Sequence, residues 1–470
     1  MNIILQNYKE VIDKIINSCL IDNLKTYFDK KTDYNVSSYI ELLSSFDMSL
    51  SDCFKKALIA LLKQMDTDYR DSIERKRKYH IKQICPRTIL TIFGEITYHR
   101  TFYTSKLDGK SYCHIDRILG LKKYDYFDPY IKAEILDYVS SNNYSETAEH
   151  INLLIGNRIS LYEKTKYLTR QTVRNIVLKS VLTEPHIKKL PDVERIFVMA
   201  DEKWISTQNN NKKKIMQKSI VIFDGFNKKG SRKSLNNKMT FSGTKEDFIY
   251  ESINYIEKAY NISKVKQIIL LGDGAKWIDG LKHYFNYNKS IKIIQGLDHF
   301  HLKQCLWRIC PKKDVYDALV KYINEKNKTD FIRLVDEIID CNELRREKIE
   351  TYKKYVLSHW ALIINLFKYN LSCPMESQIS HTFASYFTSR PKGYNPKTLQ
   401  TLIKLRINKA NKNNIKELFF KNFNSSEIIN LNEKNIDYSI FDKKSTYTVI
   451  TKKPLFRISK NPPLKRVVFL

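Results

Sequence analysis

Three acidic residues stand at places where a folded protein presents side chains for chemistry. Asp201 follows the apolar segment RIFVMA, Asp273 lies between two glycines after IILLG, and Glu376 lies in the segment LSCPMESQISHTF. Glycine permits a tight turn and leaves room for a ligand beside a carboxylate. Carboxylates that share a site repel one another, and a divalent cation relieves the repulsion while gaining hard oxygen ligands. The three residues therefore predict a site for Mg²⁺ or Mn²⁺.

The segments around these residues predict the elements that must hold them together. Between Arg195 and His301 three strand-like segments come first, and a helix, a strand, a second helix and a last strand follow. In order, the strand-like segments are RIFVMADEKWI, KIMQKSIVIFDGF, KMTFSG, VKQIILLGD and IKIIQGLDHFH. This order predicts an α/β core with a ribonuclease-H-like mixed sheet, in which the first and fourth strands are neighbours. Asp201, at the end of the first strand, and Asp273, after the fourth, are therefore expected to face one another.

Each carboxylate also has an alternative interpretation. Glu202 competes with Asp201, because successive strand residues point to opposite faces and only one of the two can serve. Asp273 could instead cap the helix that follows it. Glu376 could complement the dipole in the first turn of its own helix, although it shares a helix face with apolar residues three and seven positions later.

The charge of the chain indicates its partner. The sequence has 470 residues with 81 Lys and Arg against 51 Asp and Glu, a net charge of +30, and 42% of its residues are hydrophobic. A chain of this length is long enough for two or three domains, and its hydrophobic content is typical of globular folding. An excess of positive charge of this size favours a polyanion, with double-stranded DNA first and an anionic membrane surface second.

Compartment and redox state follow from what the sequence lacks. No stretch approaches the roughly 18 consecutive apolar residues of a spanning helix, and Met1 to Lys9 does not have the order of a signal peptide. The eight cysteines are scattered without a C-x-x-C pair, which favours neither a disulfide framework nor a zinc ribbon. We therefore expect a cytoplasmic protein with reduced thiols and no membrane partner.

The first 190 residues predict an α-rich region that contains a β-hairpin. Residues 1–80 have helical apolar spacing and end in a basic run, and residues 81–125 contain the hairpin sequence RTILTIFGEITYHRTFYT. The hairpin is either a structural ribbon or one that touches DNA. Residues 126–190 contain two segments that resemble a helix-turn-helix, SSNNYSETAEHINLLIG and LTRQTVRNIVLKS. The second segment offers Arg170, Gln171 and Arg174 at its amino end, as a recognition helix would, although paired helices are common in any α-rich region.

The remainder of the chain divides around the predicted sheet. Residues 191–301 and 370–412 form the catalytic core in this plan, because the helix of Glu376 has to return to the sheet. Residues 302–369 form a largely helical insertion between the fifth strand and that helix, and residues 413–470 form a C-terminal tail.

Four motifs in this order carry a resemblance to a known family. The segments ADEKW, LLGDGAKWI, LDHFHLK and MESQISHTFASYFTSRPKGY resemble the transposases of ISLre-type insertion sequences. These are acid-triad transposases distantly similar to the Mutator group, and the match extends from about Arg87 to Lys409. The chain departs from that group in having no evident zinc-binding module at its amino end.

The resemblance implies roles for particular residues. Asp201, Asp273 and Glu376 would be the metal-binding triad, and Asp298 with His301 match the Asp-x-x-His element beside the active site of Mutator-like enzymes. Such a triad holds two cations for in-line phosphoryl transfer, first with water and then with a released 3′-hydroxyl as nucleophile. The expected partners are the element ends and target DNA, bound by a homo-oligomer. Arg390 and Lys392, close to Glu376 in sequence, are either contacts to the phosphates or solvated charges.

Two other functions remain open on the sequence. A ribonuclease-H-like nuclease or junction resolvase would cut DNA with the same triad and join nothing. A DNA-binding regulator with an inactive catalytic fold would bind without metal-dependent cutting. A tyrosine recombinase is disfavoured, because its Tyr nucleophile and Arg/His cluster would not need three acids at strand and helix ends.

Overall fold

The computed structural model describes most of the chain up to residue 422. The described residues are 36–156, 166–208, 214–230, 232–286, 288, 290–369, 371, 373–389 and 393–422, with Ile21 and Lys25. Most of the predicted leader before residue 36, and the predicted tail after residue 422, therefore lie outside the described residues.

The described residues form ten β-strands and sixteen α-helices. The strands are β1 (Tyr79–Thr91), β2 (Gly94–Ser105), β3 (Ser111–Cys113), β4 (Arg195–Ser206), β5 (Lys214–Phe223), β6 (Phe226–Lys229), β7 (Arg232–Leu235), β8 (Met239–Gly243), β9 (Gln267–Gly272) and β10 (Lys292–Leu297). The helices before β10 are α1 (Val36–Asp71), α2 (Ile73–Lys78), α3 (His114–Ile118), α4 (Pro129–Val139), α5 (Tyr144–Leu154), α6 (Arg170–Lys179), α7 (Asp247–Ala259) and α8 (Lys276–Phe285). Those after it are α9 (His299–Ile309), α10 (Lys313–Asn324), α11 (Lys328–Asp340), α12 (Arg346–Ser358), α13 (Trp360–Lys368), α14 (Met375–Ile379), α15 (Pro396–Ala410) and α16 (Ile415–Phe420).

A five-stranded mixed sheet organises the second half of the molecule. Its strand order is β10-β9-β4-β5-β8. Strands β4, β5 and β8 pair antiparallel, whereas β9 lies parallel to β4 and β10 lies parallel to β9. The prediction of an α/β protein with a mixed sheet is therefore confirmed, and β4 and β9 are neighbours.

Both faces of this sheet are covered, which explains the uninterrupted apolar run in β9. Ile268 and Leu270 belong to one buried cluster together with residues of α7 and α8. Ile269 and Leu271 belong to another, larger cluster on the opposite face. Because alternate strand residues point to opposite faces, a strand buried on both sides has to be apolar throughout.

The larger cluster joins regions that are distant in sequence. It contains buried residues of α4, α5 and α6, of the helices from α9 to α13, and of α14 and α15. The segment between β10 and α14 is helical, as predicted, and Asn365 of α13 donates a hydrogen bond to the Gln295 carbonyl of β10 at 2.9 Å. The helices before and after the sheet are thus packed on the same face of it.

The amino-terminal elements agree with the sequence in type and differ in detail. The predicted hairpin is present as β1 and β2, but it begins earlier, turns at Ile92 and Phe93, and is extended by β3. Both predicted helices of the 126–190 region are also present. Asn143 caps α5 in a capping box with Glu146, and Thr169 caps α6.

Three features were not anticipated. A separate small hairpin, β6–β7, lies in the sequence between β5 and β8 of the main sheet. Cys53 is disulfide-bonded, so the expectation of reduced thiols is wrong at that position, while Cys85, Cys113, Cys305, Cys310, Cys341 and Cys373 are free. Cys341 is also exposed, in contrast to a core thiol.

As for membranes, none of the described helices is both long enough and apolar enough to cross one.

Candidate active site

The ends of three adjacent parallel strands bring three aspartates to one edge of the sheet. Met199 of β4 lies opposite Leu271 of β9, and Leu297 of β10 lies opposite Gly272. Continuing this register by one or two residues puts Asp201, Asp273 and Asp298 side by side. Ligands bind at the carboxyl ends of such strands because loops there leave a crevice.

Asp201 is not at the end of its strand, contrary to the expectation. β4 continues to Ser206 and remains paired with β5, but its parallel pairing with β9 ends at Met199. Asp201 is thus the second residue past the last residue of β4 that pairs with β9. It is buried, with 8% of its surface exposed.

The electrostatics of Asp201 show that other carboxylates are close. The pKa of Asp201 is raised to about 7, mainly by burial and also by the negative charges of Asp273 and Glu376. The Glu202 N–H, which donates to the Asp201 Oδ1 at 2.7 Å, and the His301 ring act in the opposite direction. Among the described ion pairs, none joins Lys or Arg to any of the three carboxylates. The repulsion within the group is therefore offset in part by His301, which lowers the pKa of Asp201, and by no described Lys or Arg ion pair.

The Asp273 carboxylate serves its own loop and does not cap the next helix. Its Oδ1 accepts a hydrogen bond from the Ala275 N–H at 2.9 Å, whereas α8 begins after Ala275 without a side-chain cap. The loop is fixed from α12, since the Tyr355 hydroxyl donates to the Asp273 carbonyl and the His359 ring contacts the Gly274 carbonyl at 3.2 Å. The cap interpretation is thus replaced by a loop in which the second carboxylate oxygen has no described protein partner.

Glycine 274 is required by this arrangement. Its φ of +86° lies in the left-handed region, and a Cβ added there would come within 2.3 Å of His359 Nε2. The sequence indicated the tight turn, but it gave no sign that an imidazole closes over it.

Glu376 reaches the same face of the sheet from α14. The helix begins at Met375 after Pro374, and Ile379 and Phe383 are buried, as the spacing predicted. Odd-numbered β4 residues such as Met199 belong to the buried cluster that also contains Met375 and Ile379. Asp201 continues this odd-numbered row, so it points toward the helix that carries Glu376.

The Glu376 helix is held in place by its continuation. Residues Ser380–Thr388 form a π-helix, a rare form that is frequent at functional sites. Arg406 donates hydrogen bonds to the Thr382 and His381 carbonyls of this segment and to the Ser140 carbonyl after α4. Tyr386 donates to the Val139 and Asn142 carbonyls. The helices of the 126–190 region therefore support the element that carries the third carboxylate.

Asp298 and His301 form a pair at the third strand end. Asp298 is 2% exposed and caps α9 through Phe300 N–H at 3.0 Å, and its Oδ2 lies 3.1 Å from His301 Nδ1. The hydrogen bond to Asp298 raises the pKa of His301, and the charges of Asp201 and Asp273 raise it further, against a lowering by burial. Asp298 thus orients an imidazole that lies within electrostatic reach of the carboxylates.

Glu202, the competitor for the first position, is used on the opposite face. Its carboxylate accepts a hydrogen bond from the Trp277 indole N–H, and Lys218 lies over the same indole ring at 5.1 Å from the centroid. The sequence did not identify this pairing. Its only sign was the alternation of β4, which separates Glu202 from Asp201.

The residues proposed to touch DNA are only partly described. Arg170 and Gln171 are exposed at the start of α6, Arg174 is half-buried, and Gln171 donates to Asn175 Oδ1 at 3.0 Å. Arg390 and Lys392 lie outside the described residues.

The oxygen-rich group has the donor chemistry of a hard-cation site, without a preformed cage. In the part of the chain with described coordinates, no three His, Cys, Asp or Glu side chains are arranged to hold a metal ion. The repulsion that Asp273 and Glu376 exert on Asp201 still fits Mg²⁺ or Mn²⁺, which prefer carboxylate oxygens.

Comparison with known proteins identifies relatives along most of the chain. The sequence profile described as "Uncharacterised protein family (UPF0236)" matches residues 33–421. A UPF0236 protein of Caldanaerobacter subterraneus subsp. tengcongensis is 28% identical over 373 residues, covering 77% of this chain and 76% of its own length. Another from that organism, 26% identical over 82% of this chain and 81% of its own length, has a name that joins eleven locus designations. The "UPF0236 protein in vanSb 3'region" of Streptococcus gallolyticus is 22% identical over 81% of this chain and 84% of its own length.

Proposed function

The chain belongs to the UPF0236 family, and we propose that it is a DNA transposase of an insertion sequence, which cuts element ends and joins their 3′-hydroxyls to target DNA. One observation carries the proposal: the buried Asp201 carboxylate lies in the field of Asp273 and Glu376, on the face of the sheet that the Glu376 helix covers. The strand order β10-β9-β4-β5-β8, in which β4, β5 and β8 pair antiparallel and β9 and β10 lie parallel to β4, supports a ribonuclease-H-like core.

Two further observations favour a mobile element. A net charge of +30 suits a protein that holds long stretches of phosphate backbone. The eleven locus designations carried by one relative are what an element that multiplies within a genome would produce. A nuclease or resolvase with a housekeeping role would not account for such repetition.

The residues have separate tasks in this proposal. Asp201, Asp273 and Glu376 would hold Mg²⁺ or Mn²⁺, which supplies an activated nucleophile and stabilises the leaving oxygen. The loop contacts from Tyr355 and His359 hold the Asp273 backbone, so its carboxylate stays beside Asp201. Asp298 holds His301 Nδ1, which leaves the other ring nitrogen for the scissile phosphate or for a proton of the leaving group.

The test compares Asp273→Asn with wild-type protein on DNA that carries the sequences flanking the gene. Asn retains an oxygen for the Ala275 N–H but loses the charge that cations require. We expect Mg²⁺-dependent cleavage and joining to disappear while DNA binding and the thermal midpoint persist, and Glu376→Gln should behave alike. Cleavage without joining by the wild type would favour the nuclease, and near-normal cutting by Asp273→Asn would refute the triad.

A further inference from the structure

A polar cleft opens beside the Glu376 helix. Its volume is about 640 Å³, and four segments line it, one of them the β6–β7 hairpin with Phe226, Ser234 and Leu235. Ser377, Gln378 and His381 come from the helix of Glu376 and its π-helical continuation, Asn237 and Lys238 precede β8, and Asn411 and Lys412 follow α15. A cleft of this size can hold a sugar-phosphate unit.

The charge of the cleft is positive and has no acidic counterpart on its walls. None of its lining residues is Asp or Glu. Lys238 donates to Gln378 Oε1 at 3.0 Å, and among the described ion pairs neither Lys238 nor Lys412 has a carboxylate partner. Asp224, which is not part of the lining, accepts a hydrogen bond at its Oδ2 from Asn237 Nδ2 at 2.6 Å. Two ammonium groups share the cleft without neutralisation, and burial together with Lys412 lowers the pKa of Lys238.

The two lysines are held in position by the backbone. Asn411 exchanges two hydrogen bonds with Thr240, from its Nδ2 to the carbonyl at 2.9 Å and from the Thr240 N–H to its Oδ1 at 2.7 Å. This pairing fixes the end of α15 against β8. Lys412, the next residue after Asn411, has a left-handed backbone with φ 58°. Holding two like charges near one another costs stability, and an anion that binds between them recovers it.

We propose that this cleft binds a backbone phosphate of the DNA strand of which a second phosphodiester reaches the carboxylates. The inference rests on the proposed function only for the identity of that second phosphodiester. Gln378 and His381 of the lining lie two and five residues after Glu376, so a strand seated in the cleft runs along the helix that carries the third acid. Lys238 and Lys412 neutralise its backbone, and Asn237, Gln378 and Asn411 offer amide hydrogen bonds to its phosphate and sugar oxygens.

The test measures how DNA binding depends on salt in a double variant, Lys238→Gln with Lys412→Asn. Asn suits the left-handed backbone at position 412. The control, Lys328→Gln with Lys348→Gln, removes two exposed lysines of α11 and α12 that line no part of the cleft. With a random-sequence duplex we expect about ten-fold weaker binding at low salt and a slope of log affinity against log salt reduced by about 1 to 2 relative to the control. Equal slopes and affinities for the two double variants would overturn the proposal.

Inorganic phosphate separates the two sources of the anion. If millimolar phosphate raises the thermal midpoint of the wild type but not of the cleft variant, and DNA affinity also falls, the cleft binds a DNA phosphate. If only the response to free phosphate falls, the DNA assignment is wrong. Should the double variant fail to fold, Lys412→Asn alone against Lys348→Gln gives the same comparison.

Failure of this inference is distinguishable from failure of the proposed function. Metal-dependent cutting is read from the wild type and Asp273→Asn, and the cleft is read from binding slopes without metal. Cutting with unchanged slopes would refute the cleft and leave the transposase proposal intact. Reduced slopes in the cleft variant, without any cutting by the wild type, would support the cleft and refute the transposase proposal.

Discussion

Replacing Asp201 with Asn is expected to make the metal-free protein more stable at pH 8. Burial and the neighbouring carboxylates raise the pKa of Asp201 from 3.8 to about 7 in the folded protein. The folded state therefore binds more protons than the unfolded state between these values, and stability falls as pH rises through this window. At pH 8 the wild type bears the full cost of the buried charge, which the Asp201→Asn variant does not carry.

The shift sets the size of the effect. A pKa shift of about three units corresponds to about 4 kcal/mol, since one unit is about 1.4 kcal/mol. Because the titrations of neighbouring carboxylates are coupled, we expect about 1–3 kcal/mol to be recovered, which raises the thermal midpoint by a few degrees. At pH 4 the difference should nearly vanish, as Asp201 is then largely protonated in the wild type.

Calorimetry at pH 4 and 8, first with chelator and then with Mg²⁺ or Mn²⁺, measures both parts of this prediction. Cation at about 100 times its dissociation constant should stabilise the wild type by about 2.7 kcal/mol and Asp201→Asn far less. Asp128→Asn is the matched control, since burial raises the pKa of Asp128 to about 6 and Asn can replace it as the cap of α4. That control should show a similar pH trend and keep the full response to cation. The reasoning is refuted if Asp201→Asn is no more stable than wild type at pH 8 and the wild type does not respond to either cation.

Three further substitutions test other parts of the structure. Gly274→Ala should destabilise the Asp273 loop by about 1–3 kcal/mol, because the added Cβ strains a positive φ and collides with His359. The control Gly280→Ala in α8 meets nothing within 4 Å and should be neutral or slightly stabilising in the same thermal scan. Arg170→Ala with Arg174→Ala should weaken binding to element ends, measured by mobility shift, at an unchanged thermal midpoint; loss of folding would mean that these side chains are structural. Asp298→Asn keeps an oxygen for the cap of α9 but weakens the hydrogen bond to His301, so cleavage should slow while the stabilisation by Mg²⁺ persists. Loss of both would instead make Asp298 part of the cation site.

Local pattern was enough to predict the sheet and the sides of its strands. The apolar runs of β4 and β9 fixed their burial, and the succession of strands and helices indicated that the two are neighbours. Period-two alternation also separated Asp201 from Glu202, and the structure assigns them to opposite faces through the Glu202 contact with Trp277. Alternation could not predict the length of β4. Its pairing with β5 extends it past Asp201, although its pairing with β9 ends at Met199.

Contacts between segments distant in sequence could not be predicted in the same way. Tyr355 and His359, which hold the Asp273 loop, lie about eighty residues away from it, in α12 and directly after it. The pattern of that helix is that of an ordinary amphipathic segment. The supports of the π-helix, Tyr386 and Arg406, reach backbone carbonyls of the 126–190 region, and a carbonyl leaves no mark on residue type. Such contacts depend on tertiary packing, which periodicity does not encode.

These long-range contacts connect the helices before the sheet directly to the Glu376 helix and its π-helical continuation. Arg406 and Tyr386 join the end of α4 to the π-helix that continues from Glu376, and α6 packs in the same buried cluster. A force on α6 would therefore be transmitted to the Glu376 helix through packed and hydrogen-bonded groups. If α6 reads an element end, its occupancy and the position of the third carboxylate are coupled. Arg406→Met, which keeps much of the side-chain volume but removes these hydrogen bonds, should then slow cleavage more than it weakens DNA binding, and an equal loss of both would argue against the coupling.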